Sequence, residues 1–240
     1  MLKRLVPAIR KRIAWLTWPN GRGVVRRDGV LYLVNLQSRN WYDKQLLYWG
    51  PPEIAQRAFL LDNIRQRRCD TFLDIGANFG MYALGIALHT DCRSIIAFEP
   101  DQRSYDRLRA NLLINGLTEK VRTRMAAVSD HSGTVPFILG PTDDGSVSEV
   151  GDDGSGYAVP CVRLDDEVPL KGQRIAFKID IQFHELVALR GMTSLLQNND
   201  CFLQVESVAD HTDPFIAAMS QLGYRHIRQV EIDHYFARTE

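Results

Sequence analysis

The chain has 240 residues, a length that supports one sizeable hydrophobic core but not two ordinary domains with a linker. Lysine plus arginine and aspartate plus glutamate number 29 each, so the formal charge is zero, which argues against a dedicated nucleic-acid-binding protein. Four scattered cysteines without zinc-ligand spacing favour a reducing compartment, and no apolar run is long enough to span a bilayer, so we expect a cytoplasmic protein.

Positive charge is concentrated at the N-terminus. Eight lysines and arginines precede the first acidic residue, Asp28, and apolar residues recur at helical spacing between Leu2 and Leu16. This pattern is typical of a basic amphipathic helix that binds the anionic inner face of a membrane. It is also typical of a helix that packs its apolar stripe on the domain. We expect Pro7 to interrupt the helix. The charges within the apolar stretch do not fit a secretory signal peptide.

The next segments predict a cap on the main domain. Residues 24–37 alternate in polarity around Asp28-Gly29, which is typical of a β-hairpin with a tight turn. An aromatic stretch follows, and a helix is predicted from about Pro52. We assign residues 1–69 to this N-terminal cap and residues 70–240 to one compact domain. The predicted apolar face of the helix consists of Ile54, Ala58, Leu61 and Ile64.

From residue 71 onward, short apolar segments alternate with amphipathic ones. Such alternation predicts an α/β fold with a mostly parallel sheet, helices on both faces and a closing antiparallel pair. Residues 140–156 are rich in Gly, Ser and Asp, which predicts a mobile loop and a candidate lid. Strands are expected at residues 71–76, 94–100, 121–130, 134–139, 158–166, 174–181 and 201–207, and helices at 81–90, 102–117, 186–196 and 214–224.

A glycine-containing turn follows the first of these strands. In "FLDIGANFG" the spacing of Asp74, Gly76 and Gly80 lets a ligand approach the backbone at the start of a helix. Asn78 replaces the middle glycine of the dinucleotide fingerprint G-x-G-x-x-G, which disfavours a nicotinamide-dependent oxidoreductase. The next strand ends at Glu99, where an acid can accept hydrogen bonds from both ribose hydroxyls of a nucleoside cofactor. The alternative is a structural turn and a chance acid.

A known family shares these motifs. The segments "DIGANFGMYAL", "IIAFEPDQRSYDRLRANLLINGL", "AAVSDHSG", "LDDEV", "FKIDIQFHELVALRGM" and "LQVE" closely resemble the FkbM-type methyltransferases over residues 70–210. The resemblance implies the class I methyltransferase fold, with a seven-stranded sheet whose last strand is antiparallel. It also implies S-adenosylmethionine as cofactor and methyl transfer to hydroxyls of sugars, polyketides or other secondary metabolites.

The resemblance also assigns cofactor-binding positions. In this fold the segment that contains Asp130 borders the adenine, although Asp130 alternatively caps a turn. Asn111 and Asn115 match a family pair that we interpret as structural. The predicted cofactor-binding residues are Asp74, Gly76, Asn78, Gly80, Glu99, Pro100, Ala127 and Asp130.

Methyl transfer to an alcohol needs alignment of the acceptor and a base that takes its proton. Three candidates follow the fourth and fifth core strands: Asp180, His184 and Glu206. Asp180 orients the acceptor or the cofactor ammonium, or caps the next helix. His184 is a base that titrates near neutral pH, or a helix-surface residue; Glu206 faces the acceptor. A magnesium ion shared by Asp180, Glu206 and Asp210 is an alternative that no spacing demands, so we predict no metal.

The segment "KIDIQFHE" matches the family's turn after the fourth strand, with Lys178, Asp180 and Glu185 in place. Phe183 stands where the family has glycine. If that glycine serves a positive φ, Phe183 strains the turn by about 1 kcal/mol; if it leaves room, Phe183 fills part of the acceptor pocket. We therefore predict an O-methyltransferase of a small-molecule or glycan acceptor, with a non-catalytic cofactor-binding relative as the alternative. Candidates for the pocket wall, or for simple packing, are Trp41, Tyr42 and Trp49.

Overall fold

The computed structural model describes residues 2–38, 40–140, 148–151, 156–207 and 209–238. It begins with helix α1 (Leu2–Thr17) and an antiparallel hairpin of strands β1 (Arg22–Arg27) and β2 (Val30–Asn35). Asp28 and Gly29 join the two strands with φ angles of 49° and 80°. Two successive left-handed residues match the twist of a hairpin, so the predicted hairpin is confirmed.

Helix α1 turns its apolar stripe away from the rest of the protein. Ala14 is buried against the fold, whereas Ile9, Ile13 and Leu16 are exposed, Leu16 to 83%. The interpretation in which this stripe packs on the domain is therefore wrong. Pro7 lies inside the helix without ending it, so the expected interruption at this residue is wrong. None of the helices in the described ranges is long and apolar enough to cross a membrane.

Two helices follow the hairpin, α2 (Trp41–Tyr48) and α3 (Ile54–Arg67). Helix α2 was not predicted, because its aromatic sequence has no clear helical period. The signal for its start is Asn40, whose side chain accepts a hydrogen bond from the backbone N–H of Asp43. In α3 the buried face includes Leu60 and Ile64, whereas Ile54 is exposed. The predicted apolar face of this helix is therefore partly wrong.

The alternating part of the chain begins with β3 (Thr71–Ile75), α4 (Met81–His89), β4 (Ser94–Phe98), α5 (Gln102–Ile114) and β5 (Val121–Arg124). The single strand predicted at residues 121–130 is divided. After β5, which lies at the edge of the central sheet, the chain enters β6 (Ala127–Ser129) in a second sheet. Periodicity alone does not reveal such a change of sheet, because both halves are apolar and extended.

The second sheet also contains β7 (Gly133–Ile138), β8 (Glu149–Val150) and β9 (Tyr157–Arg163), which is followed by the short helix α6 (Leu164–Glu167). Its strand order is β6-β9-β7-β8. Most of the predicted lid, residues 141–147 and 152–155, lies outside the described residues.

The C-terminal part consists of β10 (Arg174–Ile179), α7 (Glu185–Arg190), α8 (Thr193–Gln197), β11 (Asp200–Glu206), α9 (Ala209–Gln221), β12 (Tyr224–Val230) and β13 (Asp233–Arg238). One helix was expected at residues 186–196, but Gly191 divides it into α7 and α8. A Cβ atom on Gly191 would lie 2.0 Å from the carbonyl oxygen of Ser129, so the end of α7 packs directly on β6.

The central sheet has seven strands in the order β5-β4-β3-β10-β11-β13-β12. All neighbours run parallel except β13, which is antiparallel to both β11 and β12. The predicted class I methyltransferase sheet is confirmed. One core cluster covers the face with α4 and α5, and another covers the face with α7, α8 and α9.

Asn111 of α5 and Asn115, the C-cap of that helix, fasten the hairpin to the central domain. The side-chain oxygen of Asn111 accepts a hydrogen bond from the backbone N–H of Leu33, and that of Asn115 accepts one from Leu31. The amide of Asn111 also donates to the carbonyl of Phe79. Both asparagines are structural, and the hairpin shares one hydrophobic core with α3 and α4. The division into a cap of residues 1–69 and a domain of residues 70–240 stays a prediction.

Candidate functional site

A cleft lies at the carboxyl ends of β3, β4, β10 and β11 and encloses about 1030 Å³ of space, counted out to its open mouth. Ligand sites of open α/β sheets form at this edge. Eight of the predicted site residues line the cleft: Gly76, Asn78, Glu99, Pro100, Ala127, Asp180, His184 and Glu206. The remaining three, Asp74, Gly80 and Asp130, are absent from its wall.

Close packing explains why both positions of the turn are glycine. Gly76 has a φ of 80°, and a Cβ atom on it would lie 1.9 Å from the carbonyl oxygen of Asp180, so β3 and β10 meet at this point. Gly80 has a φ of 91° and packs on Leu108, which would lie 2.5 Å from an added Cβ. Both glycines therefore allow close packing within the protein, and of the two only Gly76 lines the cleft.

Asp74 lies behind the turn rather than in the cleft. Its Oδ2 accepts a hydrogen bond of 2.9 Å from the backbone N–H of Ala83 in the first turn of α4. Burial raises the pKa of Asp74 to about 7. In this structure Asp74 fixes the start of α4 beneath the glycine turn, which differs from the predicted direct contact with a cofactor.

Glu99 is held in the cleft by backbone donors. Its Oε2 accepts from the N–H of Asn78 at 2.7 Å, and its Oε1 accepts from the N–H of Asp101 at 2.8 Å. Burial raises the pKa of Glu99 to about 8, although both backbone donors favour the ionised form. Each carboxylate oxygen has a second acceptor position, so the group can bind two further hydroxyls.

The wall beside Glu99 is apolar and comes from both sheets: Phe98, Pro100, Ala127, Val128 and Phe137. A flat heterocycle fits such a surface. Asp130, predicted to border an adenine, lies outside this wall. Its carboxylate pairs with Arg190 at 3.1 Å and with His131 at 3.0 Å on the protein surface.

Carboxyl groups gather around one buried ammonium at the other end of the cleft. Lys178 is buried, and its Nζ lies 3.0 Å from Oδ2 of Asp180. Burial opposes the charge of Lys178, but the carboxyl groups of Asp180, Asp233, Glu53 and Glu206 raise its pKa well above the ordinary value. The ammonium therefore stays charged and holds the acidic cluster together.

Glu206 has the pKa of a base that works near neutral pH. Burial and the neighbouring carboxylate of Asp180 raise its pKa to about 8, against the attraction of Lys178. Burial raises the pKa of Glu53 as well. A site with several such groups is typical of acid–base chemistry.

Sequence reasoning missed part of this site. Oε2 of Glu53 accepts a 2.7 Å hydrogen bond from the hydroxyl of Tyr82, which in turn accepts one from Gln204. Gln204 also donates to Asp233 across the sheet. Glu53 follows two prolines outside every recognised motif, so nothing in the sequence points to it. Of the three candidate aromatics, Tyr42 lines the cleft, whereas Trp41 and Trp49 are more than half exposed.

His184 lies at the side of the cleft that β6 forms. Its Nε2 is 3.2 Å from the hydroxyl of Ser129. The predicted helix-surface alternative is wrong, because the side chain of His184 is buried. Among the side chains that the structure describes, no three acidic, histidine or cysteine groups lie together as metal ligands. The side chain of Asp210, part of the metal alternative, lies outside the described set.

The turn after β10 has two left-handed residues in succession. Gln182 and Phe183 have φ angles of 49° and 73°, and the carboxylate of Glu185 closes the turn by accepting from the N–H of Ile181. The ring of Phe183 is half exposed and lies 5.0 Å from that of His211. Phe183 does not line the cleft. The positive φ agrees with the interpretation based on strain, whereas the position of the ring gives the pocket-filling interpretation no support.

Substitutions at Phe183 test this strain. We expect Phe183→Gly to unfold at a higher temperature than Phe183→Ala, because both lose the ring but only alanine keeps a Cβ atom in the left-handed region. The difference is about 1 kcal/mol, which corresponds to about 2–4 °C in a domain of this size. Thermal unfolding followed by circular dichroism measures it. An alanine variant as stable as the glycine variant would contradict the observed conformation.

The strand order of the central sheet and the position of the cleft are those of the class I methyltransferase fold. Residues 74–226 match the family described as the methyltransferase FkbM domain. The chain belongs to this FkbM methyltransferase family.

Individual relatives are more distant. The hexuronic acid methyltransferase AglP of Haloferax volcanii is 27% identical over 150 residues, 60% of this chain and 59% of AglP. The methyltransferase sdnD of Sordaria araneosa is 32% identical over 74 residues, 31% of this chain and 29% of sdnD. The alignments thus span less than two thirds of either relative. A SAM-dependent methyltransferase from Agrobacterium tumefaciens shares the fold, with a TM-score of 0.50 and 9% identity over 90% of this chain and 69% of that one.

Proposed function

We propose that this protein is an S-adenosylmethionine-dependent O-methyltransferase that acts on a hydroxyl of a glycan or a small secondary metabolite. One observation carries the proposal: a buried carboxylate fitted for a ribose and a cluster of acids fitted for an acceptor hydroxyl share one cleft. Membership of the FkbM family supports it. The names of the two relatives, one a hexuronic acid methyltransferase, agree with a sugar or metabolite acceptor.

The cleft fits the cofactor at three points. Glu99 offers two oxygens to the ribose hydroxyls, and the apolar wall with Phe98 and Val128 offers a surface for the adenine. The third point is the backbone at Gly76, which lines the cleft beside Asp180 and where the amino-acid portion belongs. The cofactor supplies an electrophilic methyl group on a positively charged sulfur.

The acceptor hydroxyl belongs at the acidic end of the cleft. We assign Glu206 as the base that takes the hydroxyl proton, because its raised pKa lies near the operating pH. Asp180 is fixed on both oxygens, by Lys178 and by the side chain of Gln182, so it orients the acceptor rather than moving a proton. His184 is less suited as the base because its Nε2 already contacts Ser129.

Two rival functions have weaker support. A nicotinamide-dependent oxidoreductase would use a G-x-G-x-x-G turn, but this chain has Asn78 at the middle position. A non-catalytic relative rested on a pocket blocked by Phe183, but that ring lies outside the cleft wall. We therefore favour an active methyltransferase over both.

Transfer of a labelled methyl group from S-adenosylmethionine tests the proposal. Suitable acceptors are neutral hexosides, uronates, amino sugars and simple alcohols, with S-adenosylhomocysteine and the methylated product identified by mass spectrometry. We expect at least one acceptor to be methylated and the product to carry a methyl ether. Fluorescence titration with a reduced nicotinamide cofactor is the comparison: saturable nicotinamide binding without any methyl transfer would overturn the proposal.

A further inference from the structure

Glu53 has an unusual backbone conformation at the wall of the cleft. It is the residue before α3 and has φ 57° and ψ 41°, in the left-handed region that glycine normally occupies. Residues at a helix start usually have an extended conformation and accept a backbone N–H with their side chain. Glu53 does neither, since its side chain makes no capping hydrogen bond. Strain of this kind persists where the surroundings or a function require it.

The side chain of Glu53 points to the acceptor end of the cleft instead. Its Oε2 accepts from the hydroxyl of Tyr82, whereas the residues that the structure describes give Oε1 no hydrogen bond. Glu53 is only partly buried and lines the cleft. Glu53 lies near enough to Glu206 to contribute to its raised pKa. One carboxylate oxygen therefore lies ready for a donor on a ligand bound beside Glu206.

We propose that Glu53 is an acceptor-binding residue: its Oε1 accepts a hydrogen bond from a second hydroxyl of a polyhydroxylated acceptor whose reacting hydroxyl lies at Glu206. This inference rests on the proposed methyltransferase function. It assigns a specificity role to the N-terminal cap, because Glu53 precedes residues 74–226, which match the family.

The kinetics of Glu53→Gln test this role. The acceptors are methyl glucoside, methyl mannoside, methyl galactoside and the corresponding uronates, each with its monodeoxy analogues. Glu53→Gln keeps the size of the side chain and an oxygen for Tyr82, but it replaces Oε1 with an amide group that cannot accept a hydrogen bond. We therefore expect the acceptor KM to rise about tenfold, with the KM for S-adenosylmethionine unchanged. One monodeoxy analogue should show the same KM in both proteins, because it lacks the hydroxyl that Glu53 binds.

A second glutamate provides the matched control. Glu231 has a φ of 56° in the turn after β12, is exposed and does not line the cleft. Both Glu53→Gly and Glu231→Gly remove a left-handed Cβ atom and one side-chain hydrogen bond, from Tyr82 and from Gln56 respectively, so the two variants should unfold at similar temperatures. Only the change at Glu53 should raise the acceptor KM.

The outcomes separate this inference from the proposed function. Calorimetry that shows no binding of S-adenosylhomocysteine would overturn the proposed function and, with it, the role of Glu53. Tight cofactor binding with an unchanged acceptor KM in Glu53→Gln would overturn the role of Glu53 alone. Methylation of simple alcohols but of none of the sugars would also overturn it, because the proposal requires a second hydroxyl.

A separate observation concerns the outer face of α1. Val6, Ile9, Ile13 and Leu16 follow one another at helical spacing and are exposed to 38%, 49%, 54% and 83%. We call these four residues the α1 stripe. The described part of the fold does not cover it, although Arg10 fastens the helix through a 2.7 Å hydrogen bond to the carbonyl of Tyr48.

The charge around the α1 stripe identifies the kind of surface that fits it. Arg12 lies beside the stripe on the helix, Arg22 and Arg26 on β1 are also exposed, and no acidic residue precedes Asp28. A second copy of this chain would bring the same positive charge to the contact and repel it. Tryptophan favours the boundary between water and lipid. Two exposed tryptophans lie in this part of the protein, Trp15 on α1 and Trp49 at the end of α2.

We propose that the α1 stripe docks on an anionic lipid surface, with its apolar residues in the headgroup region and the surrounding bases on the lipid charges. Sedimentation with phosphatidylcholine vesicles, with and without about a quarter of phosphatidylserine, tests this. We expect the protein to sediment with the anionic vesicles only. Ile13→Ser combined with Leu16→Ser should weaken this binding about tenfold or more.

Leu113→Ser is the control, because Leu113 is an equally accessible leucine on α5, exposed to 69%. It should bind vesicles like the wild type. Absence of the wild-type protein from the anionic pellet, or equal binding by the double variant, would overturn the proposal. A concentration-dependent dimer in sedimentation velocity that the double variant loses would also overturn it, because the stripe would then be an interface between copies.

Discussion

Replacing Glu206 by glutamine is expected to slow methyl transfer by about 100-fold or more, because removal of a general base typically costs this much. Glutamine preserves the size and polarity of the side chain but cannot take a proton. The affinity for S-adenosylhomocysteine should change little, since Glu206 lies at the acidic end of the cleft, away from Glu99 and the apolar wall. The variant therefore separates chemistry from cofactor binding.

The pH dependence gives the same test in the wild type. Burial and Asp180 raise the pKa of Glu206 to about 8, so the carboxyl is largely protonated below that pH and cannot act as a base. We expect kcat/KM to rise with pH from about 6 and to level off above about 8. Initial rates across this range, measured for the wild type and for His184→Gln, show which residue is responsible. A profile that disappears in the histidine variant would assign the base to His184 instead.

Replacing Glu99 by alanine is expected to weaken the binding of S-adenosylhomocysteine by about 100-fold. The change removes the acceptor of two hydrogen bonds from the ribose hydroxyls, and bonds to a charged group contribute about 1.5–3 kcal/mol each. Isothermal calorimetry measures the affinity, and thermal unfolding checks that the glycine turn still forms without the carboxylate that holds Asn78 and Asp101.

The same titration at several pH values sharpens the test of Glu99. Burial raises the pKa of this carboxyl to about 8, and the ionised form accepts hydrogen bonds more strongly than the protonated form. Wild-type affinity should therefore increase as the pH rises through about 8. Glu119→Ala provides the control because Glu119 is an exposed acid outside the cleft wall. Equal affinities of wild type and Glu99→Ala would contradict the assignment of the ribose site.

Much of the fold could be predicted from short-range patterns. Buried parallel strands are continuous apolar runs, as in β3, β4 and β10, and the helices between them have a clear period or end signal. The hairpin follows from Asp28-Gly29, which suits two left-handed residues. These features depend on local sequence alone.

The errors arise where tertiary contacts decide. The chain leaves the central sheet after Arg124, although residues 121–130 have one uniform extended pattern. Gly191 lies at the end of α7, where the carbonyl of Ser129 leaves no room for a side chain. The α1 stripe has the period of a buried face but is exposed, because periodicity identifies an apolar face without showing what covers it.

Some residues of the candidate site could be predicted from sequence motifs, whereas others are brought to it only by tertiary packing. Glu99 and Gly76 belong to spaced motifs next to strands, so sequence places them correctly at the cleft. Asp74 belongs to the same motif but supports the turn from behind, because its carboxylate accepts a hydrogen bond from the backbone of Ala83 in α4. Glu53 comes from a separate segment, and only the packing of α3 against α4 brings it to Tyr82. No spacing in the sequence connects those two residues.

A crystal structure of the protein with S-adenosylhomocysteine would show directly whether the cleft binds this cofactor. We expect the ribose hydroxyls on the carboxylate of Glu99, the adenine against Phe98 and Val128, and the sulfur directed toward the space between Glu53 and Glu206. A ligand bound elsewhere, such as the apolar groove between α3 and α4 that Ile54 and Leu61 line, would contradict this expectation. A ribose placed away from Glu99 would contradict it as well.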